Sequence, residues 1–228
     1  MCSASDEQSQ PALRDVSLDL RSGQNILVVG RTGSGKSSLL LTLLHLLDYD
    51  GGRITVDGLD LSRLSREALR SRIVTIPQDA VELPGSVRFN LGQFAPPGSK
   101  VGEAGGDQGM QRALIRVGLW DAIASRGGLD AELDDVSLSG GQKQLFSLAR
   151  AILSKQGKTA KGAGVVLLDE PTSSMGDETD VLMRQVVTEE FAGYTIVTVS
   201  HRLDAAKDAD VVVRMAGGRV VELTQGGE

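Results

Sequence analysis

The stretch that decides the fold is Gly30-Arg31-Thr32-Gly33-Ser34-Gly35-Lys36-Ser37. It follows a short apolar, β-branched run at residues 26–29, which indicates a buried strand. It precedes a Leu-rich run at residues 38–47, which is apolar nearly all round and indicates a core helix. Strand, glycine-rich loop and helix form the context in which the pattern G-x-x-x-x-G-K-[ST] binds phosphate. We therefore predict a phosphate-binding loop at the head of a core helix.

Each residue type in this loop has a physical reason to be there. Glycines allow backbone conformations closed to other residues, so successive N–H groups can line a concavity that suits phosphate oxygens. The positive end of the helix dipole adds to the attraction. Lys36 is expected to reach the β- and γ-phosphates, and the Ser37 hydroxyl to coordinate Mg²⁺. The predicted nucleotide-contacting residues are Gly30, Arg31, Thr32, Gly33, Ser34, Gly35, Lys36, Ser37 and Ser38. The alternative is a glycine-rich strand-to-helix turn that binds nothing, but at average residue usage this pattern arises by chance in only about one chain of this length in a hundred.

Composition narrows the class of protein. The 228 residues allow one large domain or two small ones, and 40% hydrophobic residues suffice for a sizeable core. Because the net charge is −6, the chain lacks the excess of basic residues that is typical of nucleic-acid binding, and we expect no nucleic-acid partner. The single Cys2 excludes an internal disulfide framework and suits a reducing compartment. Because no apolar run approaches 18 residues and no signal peptide is recognisable, we expect no transmembrane domain in this stretch.

The remaining patterns predict an α/β fold with a mostly parallel sheet. Buried strands are predicted at residues 72–76, 165–168 and 194–199, and a terminal hairpin at 211–215 and 219–223. A half-exposed strand at 13–20 and a short strand at 53–58 suggest a small antiparallel sheet. Helices are predicted at residues 62–71, 111–125, 143–154 and 177–191. Residues 80–138 contain no clear strand, and 92–109 form a Gly- and Pro-rich loop, so we predict a helical subdomain inserted in the core.

Polar side chains follow three of the predicted buried strands: Gln78, then Asp169 with Glu170, then His201. If these strands run parallel beside the strand that feeds Gly30, all of these side chains meet at the glycine loop.

Such a convergence would suit phosphoryl transfer to water. We expect Asp169 to hold Mg²⁺ mainly through water, opposite Ser37, with Gln78 bridging metal and water. We expect Glu170 to orient or deprotonate the attacking water and His201 to hydrogen-bond the γ-phosphate. Taken alone, the two acids could be an ordinary acidic turn, and His201 a surface histidine. His45, by contrast, falls inside the Leu-rich helix and is expected to be structural.

Ser139-Gly140-Gly141-Gln142 is a second candidate anion site, because a hydroxyl and two glycines precede a predicted helix. The alternative is simply a capped helix start. A chain with two phosphate-facing helix starts suggests that the second one binds nucleotide held by another copy.

Together these residues resemble the nucleotide-binding domain of ATP-binding cassette (ABC) transporters over nearly the whole chain. Gly30 to Ser37 resembles the Walker A motif, Gln78 the Q-loop and residues 138–142 (LSGGQ) the family signature. Residues 165–169 resemble Walker B, Glu170 the catalytic glutamate and His201 the switch histidine. Longer stretches of the sequence, among them GRTGSGKSSLL and LSGGQKQLFSLARAIL, are similar to the second cassette of the C subfamily, the multidrug-resistance-associated exporters.

The resemblance implies a P-loop NTPase (RecA-like) core with a small antiparallel β subdomain and an inserted helical subdomain. Residues 1–228 would form a single ATPase domain, with the insertion at about residues 80–150. It further implies ATP and Mg²⁺ as cofactors, and ATP hydrolysis that powers export through a separate membrane domain. The implied partners are that membrane domain and a second nucleotide-binding domain packed head to tail. The domain would then be membrane-associated on the cytoplasmic side.

Two departures from the family pattern support an alternative, an ATP-binding regulatory cassette with weak or no hydrolysis. The aromatic residue that stacks on adenine is expected just upstream of residue 11, but no aromatic precedes Tyr49. Loss of one stacking contact would cost roughly 1–3 kcal/mol of binding free energy. In addition, Gly176 stands where the family has an aspartate, and Asp177 comes one place late. A cassette working outside transport would show tandem cassettes or basic surfaces, and neither is present.

Overall fold

The computed structural model describes residues 11–65, 68–69, 72–94, 106–156, 164–171, 175–201 and 203–226. These ranges contain a six-stranded sheet and a separate two-stranded one. The strands are β1 (Asn25–Val29), β2 (Thr55–Val56), β3 (Leu59–Asp60), β4 (Ile73–Ile76), β5 (Val165–Asp169), β6 (Thr195–Ser200), β7 (Val211–Ala216) and β8 (Arg219–Gln225). The helices are α1 (Lys36–Leu43), α2 (Val87–Gly92), α3 (Asp107–Arg116), α4 (Trp120–Ala124), α5 (Leu133–Val136), α6 (Gly140–Gln156) and α7 (Asp177–Glu190). Short 3₁₀ turns occupy Leu61–Arg63, Gly128–Asp130 and Leu203–Asp208.

The large sheet has the strand order β4-β5-β6-β1-β7-β8. All neighbours pair in parallel except β7 and β8, which form the antiparallel hairpin predicted around Gly217 and Gly218. This arrangement confirms the predicted α/β class with a mostly parallel sheet. The three predicted buried strands agree with β4, β5 and β6 to within a residue or two at their ends.

Both faces of the sheet are covered, as expected for parallel strands. Along β5, Val166 and Leu168 pack into the core shared with helices α3, α6 and α7. Leu167, between them, packs into the core shared with helix α1. Because successive side chains in a strand point to opposite faces, these two cores lie on opposite sides of the sheet. Aliphatic side chains dominate both cores, and the partly buried Trp120 side chain packs against the larger one.

Helix α1 is shorter than predicted and begins earlier, at Lys36 rather than Ser38. It ends at Leu43 because the next residues form a left-handed C-terminal cap: His45 has φ +54°, and the Leu46 amide donates to Leu41 O at 2.9 Å. The prediction that His45 lies within the helix was therefore wrong. Glycine is the usual residue at such a cap, so the sequence around His45 carried no recognisable stop signal.

The predicted strand at residues 13–20 is also wrong. Its side chains alternate between half-buried and exposed as predicted, but the segment forms no strand ladder. The backbone hydrogen bond that the structure records for it runs from the Arg14 amide to Gly218 O, at 2.7 Å. The small antiparallel sheet therefore consists of β2 and β3, both of which follow the glycine loop. Alternation alone did not distinguish a paired strand from an extended segment lying across a core.

Helices α2 to α6 lie in or begin in the described part of residues 80–150, but their boundaries differ from those predicted. The helix predicted at residues 111–125 is two helices, α3 and α4, separated at Gly118, whose φ is +69°. Helix α2 lies in the region without clear signals, where the Ser86 hydroxyl caps it by accepting from the Phe89 amide at 3.1 Å. Helix α3 begins inside the predicted 92–109 loop, of which residues 95–105 lie outside the described ranges. The helix predicted at 62–71 is a 3₁₀ turn followed by helical Ala68 and Leu69, and residues 66–67 and 70–71 also lie outside those ranges.

Candidate active site

The carboxyl ends of neighbouring parallel strands bring the predicted site residues together. Register pairs Asp169 of β5 with Val199 of β6, and Val29 of β1 with Ser200 of β6. Asp169, Glu170, His201 and the glycine loop after Val29 therefore emerge side by side at one edge of the sheet. Gln78 follows β4, the neighbour of β5, and its side chain is exposed at the same edge.

The glycine loop has the backbone that its sequence predicts. Gly33 and Gly35 have φ values of +79° and +101°, which disfavour residues with a Cβ. Gly35 is the N-cap of α1, and no side chain caps the helix there. The first amides of α1 are thus left available to an anion, as at a phosphate-binding helix start. Ser37 and Ser38 open the helix, with Ser37 exposed and Ser38 partly buried.

The Lys36 side chain folds back onto main-chain oxygens of the glycine loop. Its ammonium group donates to Gly30 O at 2.8 Å and to Arg31 O at 3.2 Å. Lys36 is only 7% exposed, although no carboxylate among the described residues forms an ion pair with it. A buried cation satisfied only by main-chain carbonyls has strong remaining attraction for an anion.

The β7–β8 hairpin supports the loop from behind, a feature that sequence reasoning missed. The Gly218 amide donates to Ser34 O at 3.0 Å. A Cβ on Gly30 would stand 2.5 Å from both Met215 O and the Ser34 Oγ atom, so Gly30 is needed for close packing as well as for flexibility. The Ser34 hydroxyl is buried and has no partner within the described part of the chain. The glycine pair at the hairpin turn was the available signal, but it predicted only a turn.

Asp169 sits in an electrostatically costly position. Burial raises the pKa of its carboxyl above the ordinary range, the charge of Glu170 raises the pKa further, and Lys36 partly opposes both effects. Its Oδ1 atom is buried without a hydrogen-bond partner among the described residues. An unpartnered, buried carboxylate oxygen beside a second acid fits a position that faces a cation.

Glu170 and His201 form a close pair beside Asp169. The Glu170 Oε2 atom lies 3.3 Å from His201 Nδ1, and the Glu170 side chain is 21% exposed against 56% for His201. Glu170 also has a φ of +42°, uncommon for a residue with a side chain, while its amide donates to Val199 O at 2.9 Å. The pair is therefore open to solvent on the His201 side.

The protein oxygen atoms available at this site fit Mg²⁺ better than a metal ion that is bound by protein side chains alone. The described ranges contain no group of three or more His, Cys, Asp or Glu side chains that could hold a metal. Mg²⁺ is commonly bound by one or two protein oxygens together with phosphate oxygens and water. Ser37 on α1 and Asp169 on the adjacent β5 could supply such protein oxygens.

Ser139 to Gln142 form a second, separate helix start. The Ser139 amide donates to Gln142 Oε1 at 2.9 Å, and the Gln142 amide donates to Ser139 Oγ at 3.3 Å. Ser139 and Gly140 are exposed, and a Cβ on Gly141 would come within 3.3 Å of the Thr179 side chain on α7. Within the described ranges, no hydrogen bond or ion pair joins these residues to the glycine loop. The single chain therefore does not complete the glycine-loop site with its own second helix start.

Comparison with known proteins agrees with this geometry. A family model described as ABC transporter matches residues 13–173. ABC multidrug transporter B of Aspergillus fumigatus is 41% identical over 220 residues, and an ABC-type transporter of Gibberella zeae is 41% identical over 225 residues. These alignments cover 96% and 97% of this chain but only 14% of each relative, so the chain spans about a seventh of their length.

A solved structure, described as a bacterial Atm1-family ABC exporter with ATP bound, superposes with a TM-score of 0.80 at 26% identity. The superposition covers 94% of this chain and 36% of that one. The P-loop NTPase fold predicted from the sequence is thereby confirmed. ABC ATPase domains bind ATP, with Mg²⁺ as the usual cofactor, and the glycine loop with Asp169 suits both. The chain belongs to the ABC transporter family, as an ATPase domain of that family.

Proposed function

We propose that this domain is the motor of an exporter: it binds ATP, hydrolyses it, and drives a separate membrane domain. The observation that carries the proposal is the Glu170–His201 pair, at 3.3 Å, beside the glycine loop at one sheet edge. A carboxylate and an imidazole next to a phosphate site are the groups that orient water for in-line attack. The similarity to the second cassette of the C subfamily stays a prediction within this proposal.

The roles proposed for the site residues follow from their positions. Lys36 and the loop amides bind the β- and γ-phosphates, and Glu170 orients or deprotonates the attacking water. His201 donates to the γ-phosphate and holds the Glu170 carboxylate in place. Mg²⁺, held by Ser37 directly and by Asp169 and Gln78 mainly through water, would neutralise charge on the transferred phosphoryl group.

We propose a second nucleotide-binding domain as the first partner, packed head to tail. Support comes from the exposed helix start at Ser139 and Gly140, which has no hydrogen bond to the glycine loop of its own chain. In such a pair, the Ser139–Gln142 segment of one domain would contact the nucleotide bound to Gly30–Ser37 of the other. Each ATP would then be bound by two domains.

We propose the membrane domain of an exporter as the second partner, so that this domain acts at the membrane on its cytoplasmic side. Within the described ranges, no helix has the length and apolar character needed to cross a bilayer. The insertion at about residues 80–150 carries apolar side chains that are well exposed: Val81, Leu83, Phe89 and Phe94, at 38–59% exposure. Exposed apolar side chains suit protein contact, and the first two of these follow closely on Gln78 along the chain.

A Glu170→Gln substitution tests the motor proposal. The amide keeps the size of the side chain but cannot take a proton from water, so we expect ATP turnover to fall by at least about 100-fold. ATP binding, measured by equilibrium dialysis, should be retained. Glu178→Gln, on the exposed start of α7, is the matched control and should leave both unchanged. An unaltered turnover rate in Glu170→Gln would refute the role given to Glu170.

The alternative is a regulatory cassette that binds ATP and hydrolyses it slowly or not at all. It is favoured by the absence of an aromatic residue before Tyr49 and by Gly176 in the loop that precedes α7. A turnover assay of the purified domain, alone and mixed with a partner cassette, separates the two proposals. The motor predicts turnover that rises with the partner, whereas the regulatory cassette predicts bound ATP without turnover.

A further inference from the structure

The segment that carries Gln78 is held by side chains rather than by its own backbone. Within the described part of the chain, residues 78–82 make no backbone–backbone hydrogen bond. Their anchors come from helix α6: Lys143 Nζ lies 2.6 Å from Glu82 Oε2, and the Arg150 guanidinium donates to Val81 O. The third anchor is Gln144, whose Nε2 donates to the main-chain oxygen of Gln78. The position of Gln78 therefore depends on the position of α6.

Gln144 is the anchor placed closest to the proposed chemistry. It is 3% exposed, and it bonds the very residue that is proposed to bridge metal and water. Its Oε1 atom is buried and has no partner among the described residues. A methionine of similar length would fill this space without leaving an amide oxygen unsatisfied. Packing by itself thus gives no reason for an amide at position 144, while the bond to Gln78 does.

The same helix begins at the second anion site. Gln144 lies five residues after Ser139 and within the first turns of α6. Any displacement of the helix start by a phosphate group would move Gln144, and Gln144 would pull on the Gln78 carbonyl. A rigid helix that carries both contacts is a physical link between two sites.

We infer that Gln144 is a positioning residue that fixes Gln78 to the signature helix α6, so that nucleotide contact at Ser139 and metal contact at Gln78 are set together. This inference rests on the proposed motor function, in which those two contacts belong to two ATP molecules. Gln144 itself is not among the residues proposed to contact ATP or the attacking water.

Gln144→Met tests the link, with Ser147→Ala as the matched control. Ser147 lies three residues further along α6 and is also buried, and its hydroxyl has no partner among the described residues, so its loss removes no hydrogen bond from residues 78–82. Backbone N–H order parameters of the purified chain are measured by NMR relaxation over residues 78–83 and over strand β1. We expect them to fall over residues 78–83 in Gln144→Met, from about 0.85 for a rigid backbone towards about 0.6 or less for a flexible one, because the segment loses one of its three anchors. Strand β1 should be unaffected, and Ser147→Ala should match the wild-type chain.

Kinetics give the second readout. We expect kcat for ATP to fall about fivefold or more in Gln144→Met while KM changes less than twofold, because the phosphate-binding loop is untouched. Gln144→Glu, which keeps the length but presents only acceptors to the Gln78 carbonyl, should behave in the same way. If Gln144→Met folds poorly, Gln144→Glu replaces it in both measurements.

Unchanged order parameters over residues 78–83 in both variants would overturn the inference, as would equal losses of kcat in Ser147→Ala. If the wild-type chain hydrolyses no ATP, the motor proposal fails instead. The order parameters then still decide whether Gln144 tethers Gln78.

Discussion

At the scale of single residues, Asp169 and Glu170 occupy positions that folding alone would not favour. Asp169 has a carboxyl whose pKa is raised by burial and by the neighbouring charge of Glu170. Glu170 has a left-handed backbone, with φ +42°. Both features cost folding free energy, and such costs concentrate where function needs a particular charge in a particular place. We therefore expect that substituting either residue to relieve this cost raises the stability of the fold and lowers its activity.

We predict that Asp169→Asn stabilises the nucleotide-free chain at pH 7 while it removes ATP turnover. A carboxyl with a raised pKa in the folded state favours folding below its unfolded pKa, and that contribution is lost as pH rises through the folded pKa. The gain from the neutral amide should therefore be present at pH 7 and shrink as pH falls towards 4. We expect less than about 1 kcal/mol, because the carboxylate is partly screened by solvent. Urea unfolding of both chains at several pH values measures it.

Asp48→Asn, at an exposed position after α1, is the control and should change the free energy of unfolding at pH 7 by less than about 0.5 kcal/mol. A loss of stability in Asp169→Asn at pH 7 would contradict the assignment of an electrostatic cost to this residue.

At the scale of elements, the β7–β8 turn offers a matched pair of glycines. Gly217 and Gly218 have φ values of +55° and +77°, so alanine is strained at both, by about 1–2 kcal/mol. A Cβ on Gly217 meets nothing within 4 Å, whereas one on Gly218 would come within 2.5 Å of Ala12 O. We expect Gly218→Ala to cost at least twice as much unfolding free energy as Gly217→Ala, measured in denaturant.

Only Gly218→Ala should also weaken ATP binding, because its amide supports Ser34 O in the glycine loop. Equal effects of the two substitutions on ATP affinity would show that the hairpin does not support the loop.

A second element-scale prediction concerns the arginine that joins α6 to α2. The Arg150 guanidinium is buried, donates to Asn90 O at 3.1 Å and to Asn90 Oδ1 at 2.8 Å, and stacks over Phe94 and Phe146. Burial lowers the pKa of Arg150, so the charge is held there at a cost. Because Arg150→Met leaves buried carbonyls unpaired, we expect a loss of about 3 kcal/mol or more in unfolding free energy.

Arg116 is the control for Arg150, since it also has two partners, Glu189 and Glu190, but lies at the surface. Arg116→Met should cost no more than about 1 kcal/mol. Comparable losses in the two variants would mean that burial is not what makes Arg150 important.

At the scale of the whole molecule, the separation of the two helix starts predicts complementation between chains. Lys36→Ala disables the glycine loop and Ser139→Arg disables the second helix start, so each variant alone should lack turnover. In a mixture, half of the dimers are mixed, and each contains one intact site made of the two unaltered halves. We expect about a quarter of the wild-type rate from an equal mixture, measured by phosphate release. A mixture as inactive as its components would refute a site shared between two chains.

Much of this molecule was predictable because its signals are local. The loop, the strands β4, β5 and β6, and the acidic and histidine ends of β5 and β6 all follow from short patterns of apolar and polar residues. The extended segment at residues 13–20 was not predictable, because alternating apolar side chains can pack against a core whether or not the backbone pairs with another strand. The end of α1 at His45 was missed because its cap uses a residue other than glycine. Such features depend on contacts between residues far apart in the chain.

The sequence alone determined the glycine loop, the α/β class and the candidate site residues, because spacing and residue type set backbone freedom, charge and strand polarity locally. Tertiary structure decided which of those residues meet. Parallel register brought Glu170 within 3.3 Å of His201 and set Asp169 beside α1. It also tied Gln78 to α6 through Gln144, and left Ser139 without a hydrogen bond to the glycine loop of its own chain. These are long-range contacts, and only the packed sheet and its helices define the distances between them.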